Sequence, residues 1–217
     1  MTSLHSSVQR RLLAEELTRL RRADERLRFA VSQRSGRIDP NPHQIDAVVF
    51  ALQRIPEGGC ILADEVGLGK TIEAGLVIAQ LLAEGRHRIL LIVPKALVGQ
   101  WQTEMYSLFG IQVREGGPDP EAFAGPGVFI VHREFAGGLK GAPLISSADP
   151  FDLVVIDEAH EVFAGIYKRF DKAGNYKSDA SEAQIADRVR SFLKLTGTPV
   201  LLLTATPIQN SLTELWG

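Results

Sequence analysis

Five short, uninterrupted apolar runs, at residues 60–63, 89–93, 128–131, 153–156 and 200–203, are separated by longer stretches of other character. A strand that is apolar at every position is covered on both faces, which is the mark of a parallel sheet held between helix layers. Helical patterns fill the gaps. Ile45, Val48, Val49 and Leu52 recur at helical spacing before Pro56 and Gly58-Gly59 end the run. Residues 70–82 form a second helix, and Leu97, Trp101, Met105 and Leu108 share one face of a third over 95–108. Strand, helix, strand in this order predicts an α/β fold, a mostly parallel sheet with helices on both faces. Stretches 110–127 and 137–150 read as loops, the first around a short strand near 111–113. A third, 164–180, is polar and carries Tyr167, Lys168, Arg169, Phe170, Lys172, Tyr176 and Lys177. A helix begun near Ser211 is still running at Gly217, so a longer parent chain is expected.

Ahead of the α/β region lies a segment of different composition. Over residues 8–32, Leu13, Leu17, Leu20, Leu27 and Val31 form an apolar stripe, interrupted by Asp24, on a predicted helix. Residues 1–37 carry nine Arg and four acids, a charge of +5, within a chain of net −2, which leaves −7 on the remainder. A basic arm on an acidic body suits contact with nucleic-acid phosphates; a solvated helix face of mixed charge fits the same composition. Two units are therefore expected: a basic helical segment at 1–37 and an α/β lobe at 38–217.

Composition narrows the class further. With 217 residues, 45% hydrophobic and 23% charged, the chain matches an ordinary globular domain or one lobe of something larger. None of its apolar runs approaches the ~20 residues of a membrane-spanning helix. Cys60 is the single cysteine, so an internal disulfide is impossible, and no Cys/His spacing suggests zinc. A soluble protein of a reducing compartment is expected.

The chemistry concentrates in two motifs. In the first, Asp64, Glu65, Val66, Gly67, Leu68, Gly69, Lys70 and Thr71 join a strand to a helix. Gly67 and Gly69 let backbone N–H groups turn inward as an anion cradle, and the following helix points its N-terminus at the bound phosphates. Lys70 can reach the β- and γ-phosphates of ATP, and Thr71 can offer its hydroxyl to Mg²⁺. The loop departs from the common phosphate-loop pattern in carrying Asp64 where the first glycine usually stands. In the second motif, the strand at 153–156 delivers Asp157 and Glu158 at its carboxyl end. There Asp157 would hold Mg²⁺ and Glu158 would act as general base toward the attacking water. Alone, Gly-Lys-Thr after a strand also arises by chance, and two acids after a strand also serve as a polar cap. Both together point to Mg·ATP.

The residues in these motifs carry a family resemblance. Asp64-Glu-Val-Gly-Leu-Gly-Lys-Thr71, Asp157-Glu-Ala-His160 and Leu202-Leu-Thr-Ala-Thr-Pro-Ile-Gln-Asn210 resemble motifs I, II and III of the Swi2/Snf2 ATPases of helicase superfamily 2. The Asp64-Glu-Val-Gly-Leu form followed by Glu73-Ala-Gly75 is similar to the bacterial RapA-like group. The resemblance covers residues 38–217. It implies the first RecA-like P-loop NTPase lobe of a DNA-dependent ATPase that translocates on double-stranded DNA, in preference to RNA, and remodels protein–DNA complexes. It also implies a second RecA-like lobe supplying arginine fingers, a DNA-bound protein partner, no membrane, and a cytoplasmic, nucleoid-associated setting. The chain alone is then expected to bind Mg·ATP weakly with little turnover.

Single positions follow from the same resemblance. Gln44 in Pro42-His43-Gln44 corresponds to the adenine-reading glutamine, and Gln offers the donor and acceptor that edge requires. Leu91-Ile-Val-Pro-Lys95, with Trp101 and Glu104 behind it, resembles motif Ia, and Val131-His-Arg133 sits where motif Ib falls. Lys95 and Arg133 are accordingly candidates for nucleic-acid phosphates, with ordinary surface charge as the alternative. Trp101 reads as core, because its helical stripe is otherwise apolar. Thr204 and Thr206 are candidates to bond Asp157 or Glu158 and couple phosphate state to the nucleic-acid side, and His160 to sense the γ-phosphate or pack against them. The 164–180 stretch suits either a nucleic-acid strand or solvent. Two rival readings stand beside the translocase: a strand-separating helicase or restriction-type DNA motor, and a nucleotide-gated binding module without turnover.

Overall fold

The computed structural model describes residues 40–63, 69–167 and 181–205. Helix α1 (Pro42–Arg54) begins with Pro42 in its first turn, where the ring's fixed φ favours the helix and the missing N–H costs nothing. A 3₁₀ turn at Ile55–Glu57 and Gly58, at φ 115°, reverse the chain into strand β1 (Gly59–Leu62). Helix α2 (Lys70–Ala83) starts directly after Gly69, and strand β2 (Arg88–Val93) follows. The predicted helix over 95–108 is a 3₁₀ turn, Lys95–Leu97, running into α3 (Val98–Phe109), which stops at Gly110 in the left-handed region. Strands β3 (Val113–Glu115) and β4 (Gly127–His132) come next, then two short helices, α4 (Arg133–Ala136) and α5 (Gly141–Ser147). Strand β5 (Leu153–Ile156), helices α6 (Ala159–Tyr167) and α7 (Ser181–Thr196), and strand β6 (Val200–Leu203) complete the order.

Two loop expectations are corrected. The 137–150 stretch contains α5, whose Ala142 and Ile145 are buried; seven residues opening on Gly and Pro are too few to show a period. Helix α6 runs to Tyr167, into the stretch read as polar loop from residue 164. Helix α7 is an element the sequence pattern did not announce. Its inward face is only Ala186, Val189 and Phe192 among charged neighbours, so the stripe is narrow. The N-terminal helix expected over 8–32, the rest of the polar stretch and the helix expected from 211 lie outside the described residues.

All six strands are parallel, in the order β1-β6-β5-β2-β4-β3. Because strand side chains alternate, the apolar runs split between two cores. Ile89, Leu91, Val93, Leu153 and Val155 pack with Leu76, Val77, Trp101 and Met105 of α2 and α3 on one face. Leu90, Ile92, Val154 and Ile156 pack with Val162, Val189 and Phe192 of α6 and α7 on the other.

The edge where the strands begin is tied by Arg88. Its guanidinium donates to the carbonyls of Pro150, Phe123, Gly125 and Asp149, while its backbone N–H donates to Asp152 Oδ2 at 2.9 Å. The same group stacks over the rings of Phe129 and Phe151, 5.3 and 5.1 Å from their centroids. One side chain thus joins the loops before β4 and β5, leaving the opposite edge for the site.

Candidate functional site

In a parallel sheet, whatever follows each strand emerges at the same edge. Here that edge carries, in spatial order, Lys70 after β1, Thr204 after β6, Asp157 and Glu158 after β5, Lys95 after β2, and Arg133 after β4. The ladder extends past the strand ends: Thr204 N–H donates to Leu62 O at 3.1 Å and Asp157 N–H to Ile92 O at 2.9 Å. Both residues are therefore held by backbone, not by loop conformation.

Asp157 is 7% exposed, and each carboxylate oxygen has a donor. Trp101 Nε1–H donates to Oδ2 at 2.8 Å, and the Glu158 backbone N–H donates to Oδ1 at 2.9 Å. Burial pushes the Asp157 carboxyl above the usual carboxylate range. The Trp101 and Glu158 hydrogen bonds and the positive charge of Lys70 pull it back, and the charge of Glu104 adds to the rise. Lys70 opens the helix that follows β1 and Asp157 follows β5, so both stand on one rim with β6 between their strands.

Glu158 adopts φ 46°, the one positive φ at a non-glycine residue among those described. Its Oε2 is buried and has no hydrogen-bond partner among the described residues. His160 Nδ1 lies 3.2 Å from that oxygen but is aligned instead with Thr204 Oγ1, at 3.1 Å. The link expected between Thr204 and the acidic motif therefore runs through the imidazole: Thr204 touches His160, and His160 flanks Glu158.

Gln44 and Gly69 meet at the start of the phosphate-loop helix. Gln44 is buried, and its Oε1 accepts from the Asn41 backbone N–H at 3.0 Å. A Cβ placed on Gly69, which sits at φ 94°, would come within 2.3 Å of Gln44 Nε2. Glycine is favoured here by the left-handed backbone, and a side chain in its place would push the Gln44 amide aside.

The chemistry of this donor set fits Mg²⁺. The ion takes few protein ligands, usually one or two carboxylates or hydroxyls beside substrate phosphates, and Thr71 in the first turn of α2 with Asp157 supplies that kind of set. No cluster of three or more His, Cys, Asp or Glu that could cage an ion alone occurs among the described residues. Asp64, Glu65, Val66, Gly67, Leu68 and Thr206, the remaining candidate site residues, lie outside the described residues.

The two nucleic-acid candidates differ. Lys95 is exposed and pairs with no acid among the described residues. Arg133 is engaged, its Nε with Glu134 at 2.8 Å and its Nη1 with Glu161 at 2.7 Å. Burial raises the Glu134 carboxyl, but the hydrogen bonds from Arg133, its own backbone and His132, with the Arg133 charge, outweigh it and hold the group below its usual range.

Trp101 has a second part that the sequence reading missed. It is core as expected, 1% exposed, yet its N–H reaches the acidic motif. The available signal was the indole itself, since a buried tryptophan on an apolar stripe still carries a donor that needs an acceptor.

Comparison with known proteins agrees with this layout. The family model described as SNF2-related domain matches residues 43–113. The chain is 35% identical over 179 residues to the "Uncharacterized ATP-dependent helicase YqhH" of Bacillus subtilis, covering 82% of this chain and 28% of that protein. It is 34% identical over 172 residues to the RNA polymerase-associated protein RapA of Pseudomonas aeruginosa, covering 76% of this chain and 17% of that one. The chain thus spans well under a third of the length of these curated relatives. Among solved structures, the SWI2/SNF2 ATPase core of Sulfolobus solfataricus in complex with double-stranded DNA superposes with a TM-score of 0.60 at 19% identity, covering 83% of this chain and 35% of that one. The UvsW helicase of bacteriophage T4 does so with 0.58 at 17%, covering 82% and 57%. Residues 43–113 match an SNF2-related domain, and sequence kinship along four-fifths of the chain, on a sheet shared with those cores, makes the chain similar to one lobe of the SNF2-related helicase-like proteins.

Proposed function

We propose that this chain is the ATP-binding lobe of a DNA-dependent Snf2-type translocase that remodels protein–DNA complexes, acting in the cytoplasm at the nucleoid. The observation that carries the reading is geometric: Lys70, at the start of the helix after β1, and the buried Asp157, at the end of β5, emerge at one sheet edge with only β6 between their strands. Bound Mg²⁺ would neutralise charge on the β- and γ-phosphates. Thr71 and Asp157 hold that ion, and Lys70 pairs with the phosphates beside it. Gln44 contacts adenine, its amide already packed against the start of the phosphate-loop helix. Glu158, whose Oε2 makes no hydrogen bond among the described residues and has the His160 ring 3.2 Å away, accepts the proton of the attacking water. His160 and Thr204 relay the state of that site toward the DNA-facing edge, where exposed Lys95 meets phosphate. Arg133, held by two glutamates, contributes only where DNA displaces them.

The transition state would still lack the arginine fingers of a second lobe, which are worth on the order of 10³ to 10⁵ in rate. The chain alone therefore binds Mg·ATP and turns it over barely. The test is a titration with a fluorescent ATP analogue in Mg²⁺ and a phosphate-release assay with and without duplex DNA. Binding that Lys70→Ala abolishes, with negligible turnover, supports the reading. Absence of binding, or strong DNA-stimulated hydrolysis by this chain alone, overturns it. A strand-separating helicase is the second reading, favoured by the name of the Bacillus relative. Strand displacement by a two-lobed protein that carries this chain decides between them.

A further inference from the structure

Asp157 accepts from two donors among the described residues, and they come from different parts of the chain. One is the backbone N–H of the next residue, on Oδ1; the other is the indole of Trp101, 56 positions away on α3, on Oδ2. We propose that Trp101 is a positioning residue for metal binding: its N–H fixes the orientation of the Asp157 carboxylate that receives Mg²⁺. This rests on the Mg·ATP reading given above.

Three physical points carry it. The terminal torsion of an aspartate is broad, so a carboxylate held by one donor can turn; donors on both oxygens pin its plane. The indole N–H is a donor only and carries no charge. It therefore orients the carboxylate without neutralising it, whereas a lysine in that place would compete with the metal. Filling the core does not require the N–H. The residues that share its face of the sheet, Val93, Met105 and Val155 among them, are apolar and ask for no donor. Groups that orient a metal ligand from behind are worth about 10- to 100-fold in metal affinity.

The test removes the N–H in two ways. Trp101→Phe is the simple variant. The isosteric one places β-(3-benzothienyl)alanine at position 101 in a Trp216→Phe background, which is workable because the chain has only two tryptophans. Sulfur then replaces N–H at nearly unchanged size, so the variant remains interpretable if Trp101→Phe fails to fold. Affinity for mant-ATP is measured in EDTA and across a Mg²⁺ titration. The expected result is metal-free affinity within about twofold of wild type, with the Mg²⁺ concentration for half-maximal enhancement raised about 10- to 100-fold. An unchanged Mg²⁺ midpoint overturns the proposal. So does equal loss of metal-free and metal-dependent affinity in the isosteric variant, which would make Trp101 packing alone. If the wild-type chain binds no mant-ATP under any condition, the Mg·ATP reading itself falls, and this inference with it.

Discussion

Replacing Glu158 by glycine should make the folded lobe more stable. Two features of the site act against the native glutamate. Its backbone sits at φ 46°, which costs an L-residue about 1–2 kcal/mol. Its Oε2 is buried without a hydrogen-bond partner among the described residues, at a cost of about 1 kcal/mol, the low end for such a group because His160 Nδ1 lies 3.2 Å away. Glycine removes both and returns about 0.5–1 kcal/mol through the greater entropy of the unfolded chain. The net expectation is a gain of about 2 kcal/mol. Alanine at the same position relieves the buried oxygen but keeps the backbone strain, so stability should rank glycine, alanine, wild type. Equilibrium urea unfolding followed by intrinsic fluorescence reads this directly. A glycine variant no more stable than alanine would refute the strain argument, and an alanine variant less stable than wild type would refute the argument from the buried oxygen. In a two-lobed protein that carries this chain, the same substitution should lower hydrolysis by about 10² to 10⁴ if Glu158 is the base. A gain in stability together with a loss of turnover is what a site strained for function predicts.

Arg88→Ala should cost about 3 kcal/mol, from one part-buried and three exposed hydrogen bonds of a charged donor and two ring contacts. Its nucleotide affinity should not change, because Arg88 lies at the opposite edge of the sheet; a melt paired with a binding titration checks both. Gly69→Ala forces a Cβ against Gln44 at φ 94° and should lose about 2 kcal/mol together with most nucleotide binding, so calorimetry showing wild-type affinity would count against Gln44 as an adenine contact. Burial pushes the Cys60 thiol from 9.0 up to about 11, against the opposing charge of Arg54. Its thiolate fraction at pH 8 is then smaller by about 100-fold, and iodoacetamide should label the folded chain correspondingly more slowly than the urea-unfolded one; rates within about fivefold would refute this. The sign for stability follows: the unfolded thiol ionises from pH 9 while the folded one keeps its proton, so stability falls as pH rises from 9 toward 11.

The sequence by itself determined the layering and the edge at which chemistry occurs. Uninterrupted apolar runs required a doubly covered parallel sheet, and the three predicted strands at 88–93, 153–156 and 200–203 coincide with β2, β5 and β6. Once the strands are parallel, residues that follow them must gather at one edge, so Lys70, Asp157, Glu158 and Thr204 were legible from their positions after strands. Short-range pattern could not reveal helix α5, too brief for a period, or α7, whose apolar stripe is thin. Nor could it assign contacts between distant segments. The indole of Trp101 on Asp157, the amide of Gln44 against Gly69, the His160 bridge between Thr204 and Glu158, and the pairing of Arg133 with Glu161 each join residues that only the fold brings together. Periodicity reports which face a residue occupies, because that depends on its neighbours in the chain. Which donor meets which acceptor across the sheet depends on strand order and on how the helices pack over it, and only the tertiary structure decides those.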